Sequence, residues 1–175
     1  TIAARLPGAD LWGGVAHLGV TLTLDGVVRH LNQLNTILFG PRRGRADARA
    51  AKLLSLFAGT PVEAKVRDNI EQDLWDKFVF LATLAGMTCL KRASVGTILE
   101  TASGERLILQ LLRECERVAD AQGFKPDQQQ LARYRAQLTQ RGSTSTASML
   151  RDIEHGGPTE RDHILGDMAA RARQL

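Results

Sequence analysis

At Asp68 the apolar pattern of the chain changes period, and that change divides the fold in two. Before it, apolar residues alternate or run in short stretches rich in Val, Leu and Thr. After it they recur three and four apart, the spacing of amphipathic helices. Within residues 11–40, GGVAHLGVTLTL and VVRHL flank the turn dipeptide Asp25-Gly26, which predicts a hairpin. NTILFG (35–40) predicts a third short strand closed by Gly40-Pro41. Ala46 to Phe57 predicts a helix, broken at Gly59-Thr60-Pro61, and VEAKV (62–66) alternates like another strand. The first segment thus reads as α/β, with about four strands and one helix. Beyond it, Asp68 with Glu71 forms a capping-box pattern for a helix from Asn69 to about Leu90. Further helices are expected around Val95 to Glu100, from Gly104 (capped by Ser103) to Gln122 before Gly123, and from Pro126 to about Gln140. Arg141 to Ala147 is a polar loop or helix lead-in. Thr159, just after Pro158, is read as the cap of a last helix from Glu160.

Composition narrows the class. A chain of 175 residues with 43% hydrophobic and 24% charged residues can bury a substantial core, which argues against disorder. Aromatics are only 5%, so aliphatic packing dominates that core. The net charge is +4, and the densest basic cluster, PRRGRADAR (41–49), reads as a solvated turn and helix start. No aromatic stacking pattern accompanies it, so no nucleic-acid partner is expected. Cys89 and Cys115 lie in apolar periodic segments without metal or redox spacing and read as buried free thiols. His17, His30, His155 and His163 are scattered, so no metal is assigned. No apolar run approaches the ~20 residues needed to cross a membrane and no secretory leader is visible, which makes a cytoplasmic location the default expectation. A chain that begins at Thr1 without methionine reads as a fragment or processed product.

Two places carry candidate chemistry. Between Leu74 and Leu90 the charges are Asp76 and Lys77, set among Trp75, Phe78, Val79, Phe80 and Leu81. Burial of that lysine would lower its pKa toward the range useful for acid–base work, while a nearby carboxylate would restore it. The alternative is a stem that snorkels to water and pairs with Asp73 one turn earlier. The second place is SMLRDIEHGGPTERD, Ser148 to Asp162. Ser148 and Asp152 share a face if helical, and Glu160 follows the Gly156-Gly157 break near the next helix start, where a carboxylate is stabilised. The alternative there is ordinary helix-surface polarity. Gly13-Gly14 with Gly19 does not match G-x-G-x-x-G, and GPRRGRAD lacks the lysine and hydroxyl of a P-loop. Neither reads as a phosphate cradle.

In order and separation, LWDKFVF, RASVG and SMLRDIEHGGPTERD, followed by a helix with Gly166, resemble the C-terminal part of the 2-dehydropantoate 2-reductase (ketopantoate reductase) family. Upstream, GGVAHL, DGVVRHL, ILFG and DNIEQDLWDK resemble the end of that family's nucleotide-binding domain. The resemblance runs from about Leu11 to the end, and its most specific parts are W-x-K and S-M-L-x-D with P-T-E-x-D. It implies an α+β fragment: residues 1–68 as the C-terminal remnant of a Rossmann-type dinucleotide-binding domain, and 69–175 as a truncated all-α substrate domain. That second domain would resemble the C-terminal domain of 6-phosphogluconate dehydrogenase relatives. The implied activity is NADPH-dependent reduction of 2-dehydropantoate to pantoate, on the route to pantothenate and coenzyme A. Lys77 matches the catalytic lysine that meets the keto oxygen. Glu160 matches the catalytic glutamate that binds the substrate hydroxyl and approaches the cofactor. Ser148 matches the serine that holds the substrate carboxylate, and Asp152 an aspartate that binds or orients substrate.

The departures shape the expectation further. Leu81, Ala85, Val95 and Leu165 stand where the family commonly has asparagines, so a related 2-keto acid with a more apolar tail would suit this site better. The family's glycine-rich N-terminal segment is absent from the chain, so NADP(H) is expected to belong to the full-length parent. The fragment alone is then expected to bind no cofactor and to have little or no activity. Strands without their usual parallel neighbours leave edges that could pair with a second copy, as a homodimer. The reading from another class is a non-catalytic helical interaction or dimerisation module.

Overall fold

A computed structural model describes residues 2–23 and 25–175; Thr1 and Leu24 lie outside the described residues, and with Leu24 the end expected for the first strand. The chain divides into two compact units, Thr1–Leu74 and Trp75–Leu175.

In the first unit a short helix α1 (Ile2–Arg5) precedes β1 (Trp12–Leu22), β2 (Val28–Pro41), α2 (Ala48–Ser55) and β3 (Glu63–Val66). The strands form one sheet in the order β1-β2-β3. β1 and β2 make the expected antiparallel hairpin, with Gly26 at φ +81° in its turn. The separate strand expected at 35–40 is instead the end of β2, which runs unbroken through it, and among the described residues the sheet has three strands. Leu18 faces Asn35 while Val20 faces His30, so the residues of β2 between those partners bulge opposite Gly19. The Asn32 carboxamide accepts from the Leu34 N–H (3.0 Å), and the His30 ring meets the Leu34 carbonyl (2.8 Å). A bulge whose polar groups are met in this way looks, in sequence, like the gap between two strands.

β2 and β3 are parallel, from Thr36 opposite Glu63 to Phe39 opposite Val66, and α2 forms the crossover. Asp47 caps α2 by accepting from the Arg49 N–H (2.9 Å). Gly40 is required where it stands: a Cβ there would lie 1.9 Å from the Arg67 carbonyl oxygen. Two arginines of the basic cluster are engaged: Arg42 pairs with Glu71, and Arg49 with both Asp10 and Asp47.

Helix α3 (Ile70–Lys91) runs from the first unit into the second. Its cap is Asn69 rather than Asp68, for the Asn69 side chain accepts from the Gln72 N–H (3.4 Å). Glu71 is drawn to Arg42 and does not complete a capping box with Asp68. The second unit continues with α4 (Val95–Leu99), α5 (Gly104–Ala121), α6 (Gln128–Leu138) and α7 (Ser148–Glu154). A π-wound turn, Asp162–Gly166, then leads into α8 (Asp167–Ala172). Ser103 occupies the cap position of α5 without a side-chain cap bond; the close approach there is made by Gly104, whose Cβ would fall 1.8 Å from the Ile98 carbonyl oxygen. Gly123 takes φ +86° just after α5, as expected of a helix stop. Pro126 precedes α6, but the cap is Asp127, accepting from the Gln130 N–H (2.7 Å). Asp127→Ala should therefore cost about 1 kcal/mol, read as a lowered midpoint in urea unfolding with an unchanged slope.

The core of this unit is aliphatic, as the composition demands. Val79, Ile98, Ile108, Leu112, Val118 and Leu138 are fully enclosed, with Met149 and Met168 closing the cluster. Two aromatics, Trp75 and Tyr134, belong to the cluster; Trp75 stacks on Phe124 at 5.8 Å, and the Arg171 guanidinium lies over Trp75 at 5.1 Å. Cys115 is buried as expected, and burial pushes its thiol up to about 11, but Cys89 is only partly buried.

Candidate active site

The candidate residues lie on α3, on α7 and just before the π-wound turn. Lys77 follows Asp76 on α3, the residues from Phe78 to Ala82 are apolar, and the lysine is half-buried. Burial lowers its pKa from the ordinary lysine value, and the carboxylate of Glu160 acts in the opposite direction. Lys77 and Glu160, 83 positions apart in sequence, are thus within electrostatic reach of one another. Asp73, the partner weighed for Lys77 from sequence, is engaged by Arg67 at 2.8 Å.

The segment that carries Ser148 and Asp152 is tied to α3 further along. The Thr88 hydroxyl donates to the Leu84 carbonyl (2.7 Å) and accepts from the N–H of Ala147 (3.3 Å), pinning the start of α7 to α3. Ser148 opens α7 and is exposed; Asp152 is partly buried one turn on. Burial raises the Cys89 pKa, and the charge of Asp152 adds to that rise. Thr88 lies about 16 Å beyond Lys77 along the helix axis, taking the rise per residue of an α-helix. Glu160 therefore meets the Lys77 end of α3, while the backbone beside Ser148 and the charge of Asp152 meet its far end.

Two connections hold α7 in place, and both were missed in the sequence. One is Thr88, which nothing in the surrounding sequence sets apart from the equally buried Thr83. The other is the RASVG stretch. Ser94 caps α4 by accepting from the Thr97 N–H (3.3 Å). The next two N–H groups donate outward, Val95 to the Ser145 carbonyl (3.0 Å) and Gly96 to the Ser143 carbonyl (2.8 Å). These bonds fasten the loop that delivers Ser148. Gly96 permits them, since a Cβ there would stand 2.7 Å from the backbone N and O of Ser143.

The last helix begins one residue later than the sequence implied, and no side-chain cap from Thr159 forms it. The carbonyl of Glu160 accepts from His163 (3.1 Å) and Ile164 (2.9 Å), so Glu160 precedes the helix and its side chain is exposed. Of the residues that replace expected asparagines, Ala85 (2% exposed) and Val95 (1%) are inside the core, whereas Leu81 and Leu165 are partly exposed.

Two glycines of the stretches weighed as phosphate cradles are closely packed, whereas a Cβ on Gly44 would meet nothing within 4 Å. Gly13 is packed against Ile70 and Leu74, and Gly40 against Arg67. A cavity of about 420 Å³ in that unit is lined by Asp10, Arg42, Arg43 and Glu71 among others, and by none of the candidate residues. Among the described residues no group of His, Cys, Asp and Glu is arranged to hold a metal, and no helix is long and apolar enough to cross a membrane.

Residues 69–175 match the family described as Ketopantoate reductase PanE/ApbA C terminal. The chain belongs to that family. An uncharacterized oxidoreductase of Bacillus subtilis, YkpB, is 30% identical over 163 residues, which are 93% of this chain and 54% of that protein. The 2-dehydropantoate 2-reductase of Halobacterium salinarum is 29% identical over 172 residues, 98% of this chain and 56% of that protein. The crystal structure of 2-dehydropantoate 2-reductase from Geobacter metallireducens superposes with a TM-score of 0.84 at 26% identity, covering 99% of this chain and 57% of that one. The chain thus spans about half the length of the curated relatives it matches, and those relatives are oxidoreductases.

Proposed function

We propose that this chain forms the proton-donating wall of a nicotinamide-dependent 2-keto acid reductase, with Lys77 as the acid and Glu160 as its partner. The feature that supports the reading is the half-buried Lys77 ammonium, within the electrostatic influence of the Glu160 carboxylate. Reduction of a ketone places developing negative charge on the carbonyl oxygen. A partly desolvated ammonium stabilises that charge and transfers a proton to the oxygen, leaving an alcohol. Glu160 keeps Lys77 protonated by opposing the effect of burial. By family resemblance Ser148, delivered by the loop that RASVG fastens, is assigned to the substrate carboxylate, and Asp152 to orienting substrate.

The nicotinamide cofactor, NADP(H) by family resemblance, supplies the hydride when bound. Gly13 and Gly40 are packed against Ile70, Leu74 and Arg67, and the sequence lacks G-x-G-x-x-G, which supports assigning the chain no phosphate-binding role. Its contribution to the cofactor is confined to Glu160, which lies beside the proposed acid. The helical unit corresponds, in this reading, to the substrate domain that 6-phosphogluconate dehydrogenase relatives also carry. The substrate of the wider family, 2-dehydropantoate, is the reference compound for testing it.

The dependence of kcat/KM on pH tests the pairing. Loss of the Lys77 proton ends the acid role, so activity falls on an alkaline limb that lies below the ordinary lysine range. Glu160 raises the lysine pKa, so Glu160→Gln should move that limb to lower pH. A limb that stays in place in the Glu160→Gln enzyme would overturn the partnership.

A further inference from the structure

From Phe78 to Leu90 the side chains of α3 able to form hydrogen bonds are Thr83, Thr88 and Cys89. Thr83 and Thr88 are 0% exposed, and each hydroxyl donates to a carbonyl of its own helix, Val79 at 2.9 Å and Leu84 at 2.7 Å. Cys89 sits at the far end, beside the charge of Asp152. The side chains of α3 left partly open in the turn after Lys77 are therefore Phe78, Phe80 and Leu81, all apolar. Facing α3 from the segment that follows Glu160 is another apolar group, Leu165, whose Cδ2 lies 3.6 Å from where a Cβ on Gly86 would stand. The polar groups of the site are thus at its ends, and the stretch of helix beside the acid offers carbon alone.

We propose that the substrate of this site is a 2-keto acid whose carbon chain beyond the keto group is purely hydrocarbon, with Leu81 as the residue that sets this preference. The proposal rests on the reading of Lys77 as the acid that meets the keto oxygen. Leu81 follows Lys77 by one helical turn, so it lies on the same face as the acid. A hydroxyl placed against Leu81 would give up its water without gaining a partner, while a methyl group there loses nothing. A site of this kind discriminates against an added hydroxyl by up to about 10²-fold.

Two compounds that differ only by that hydroxyl make the test. The native enzyme is assayed with 2-dehydropantoate and with 3,3-dimethyl-2-oxobutanoate, which has the same skeleton without the 4-hydroxyl, using NADPH and NADH in turn. The expected result is a kcat/KM at least about 10-fold higher for the hydrocarbon compound. The ratio should narrow or reverse in Leu81→Asn, which gives the hydroxyl a partner at a partly exposed helical position. Reduction of both compounds with 2-dehydropantoate preferred by the unaltered enzyme would overturn the proposal and leave the role of Lys77 standing. Failure to reduce either compound with either cofactor would overturn the reductase reading and this proposal with it.

Discussion

Lys77→Ala is expected to lower kcat/KM for 2-keto acid reduction by about 10²- to 10⁴-fold, the range spanned by removal of a positioned general acid. The loss should fall mainly on kcat, because the ammonium does most for an oxygen that is gaining charge, and a bound ketone in its ground state carries little. The fold should survive the change. Lys77 is half-buried beside the enclosed core formed by Val79, Ala82 and Ile98, and losing its ammonium removes a charge that burial already disfavours. Steady-state kinetics together with thermal melting separate the two effects. Turnover that is unchanged in the variant would remove Lys77 from the chemistry, whatever its position beside Glu160.

Gly96→Ala is expected to cost about 2–3 kcal/mol of stability, the upper part of the usual range for overpacking. In a chain of this length that corresponds to a melting temperature lower by roughly 5–10 °C. The reason is local and severe: the new Cβ would stand 2.7 Å from the backbone N and O of Ser143, atoms that cannot swing aside as a flexible side chain can. The Gly96 N–H would then be pulled away from the Ser143 carbonyl that it holds at 2.8 Å. Displacement of this loop is carried to α7, so the variant should also show a raised KM for the 2-keto acid if Ser148 holds its carboxylate. A melting temperature within 1–2 °C of the parent would show that the loop can relax, contrary to the usual cost of inserting a methyl group into close packing.

The helical half was legible because its signals are local. Apolar spacing located α3 to within a residue at each end, and Gly123 marked the end of α5. What could not be read were the choices between neighbouring groups that could serve the same purpose. Asp68 and Asn69 are both good caps, and only the tertiary pull of Arg42 on Glu71 leaves Asn69 to bind the Gln72 N–H. The long β2 strand was misread for a related reason. A bulge filled by Asn32 and His30 has the composition of a loop, and only the partner strand β1 reveals that the ladder resumes. In the candidate site, Lys77 stood out as a charge in an apolar helix and Glu160 as an acid near a helix start. Their proximity is a property of the fold. Thr88 shows the opposite limit: nothing in its surroundings in sequence announces that its hydroxyl receives the N–H of Ala147, 59 residues away.

The π-wound turn at Asp162–Gly166 has a bearing on how this site could be retuned. Each residue of an α-helix advances about 100° around its axis, and a π-turn holds one residue more than an α-turn does. The anchors downstream are fixed by Met168 in the core and by Arg171 over Trp75. The turn therefore absorbs its extra residue without rotating what flanks it, and a deletion that restored regular winding there would leave Glu160 close to its present bearing on Lys77. The same deletion in the regularly wound helix that follows would instead throw the segment ahead of it out of phase with those anchors by about 100°. The π-wound turn is thus the one place in this segment where the chain tolerates a change in residue count without moving the carboxylate.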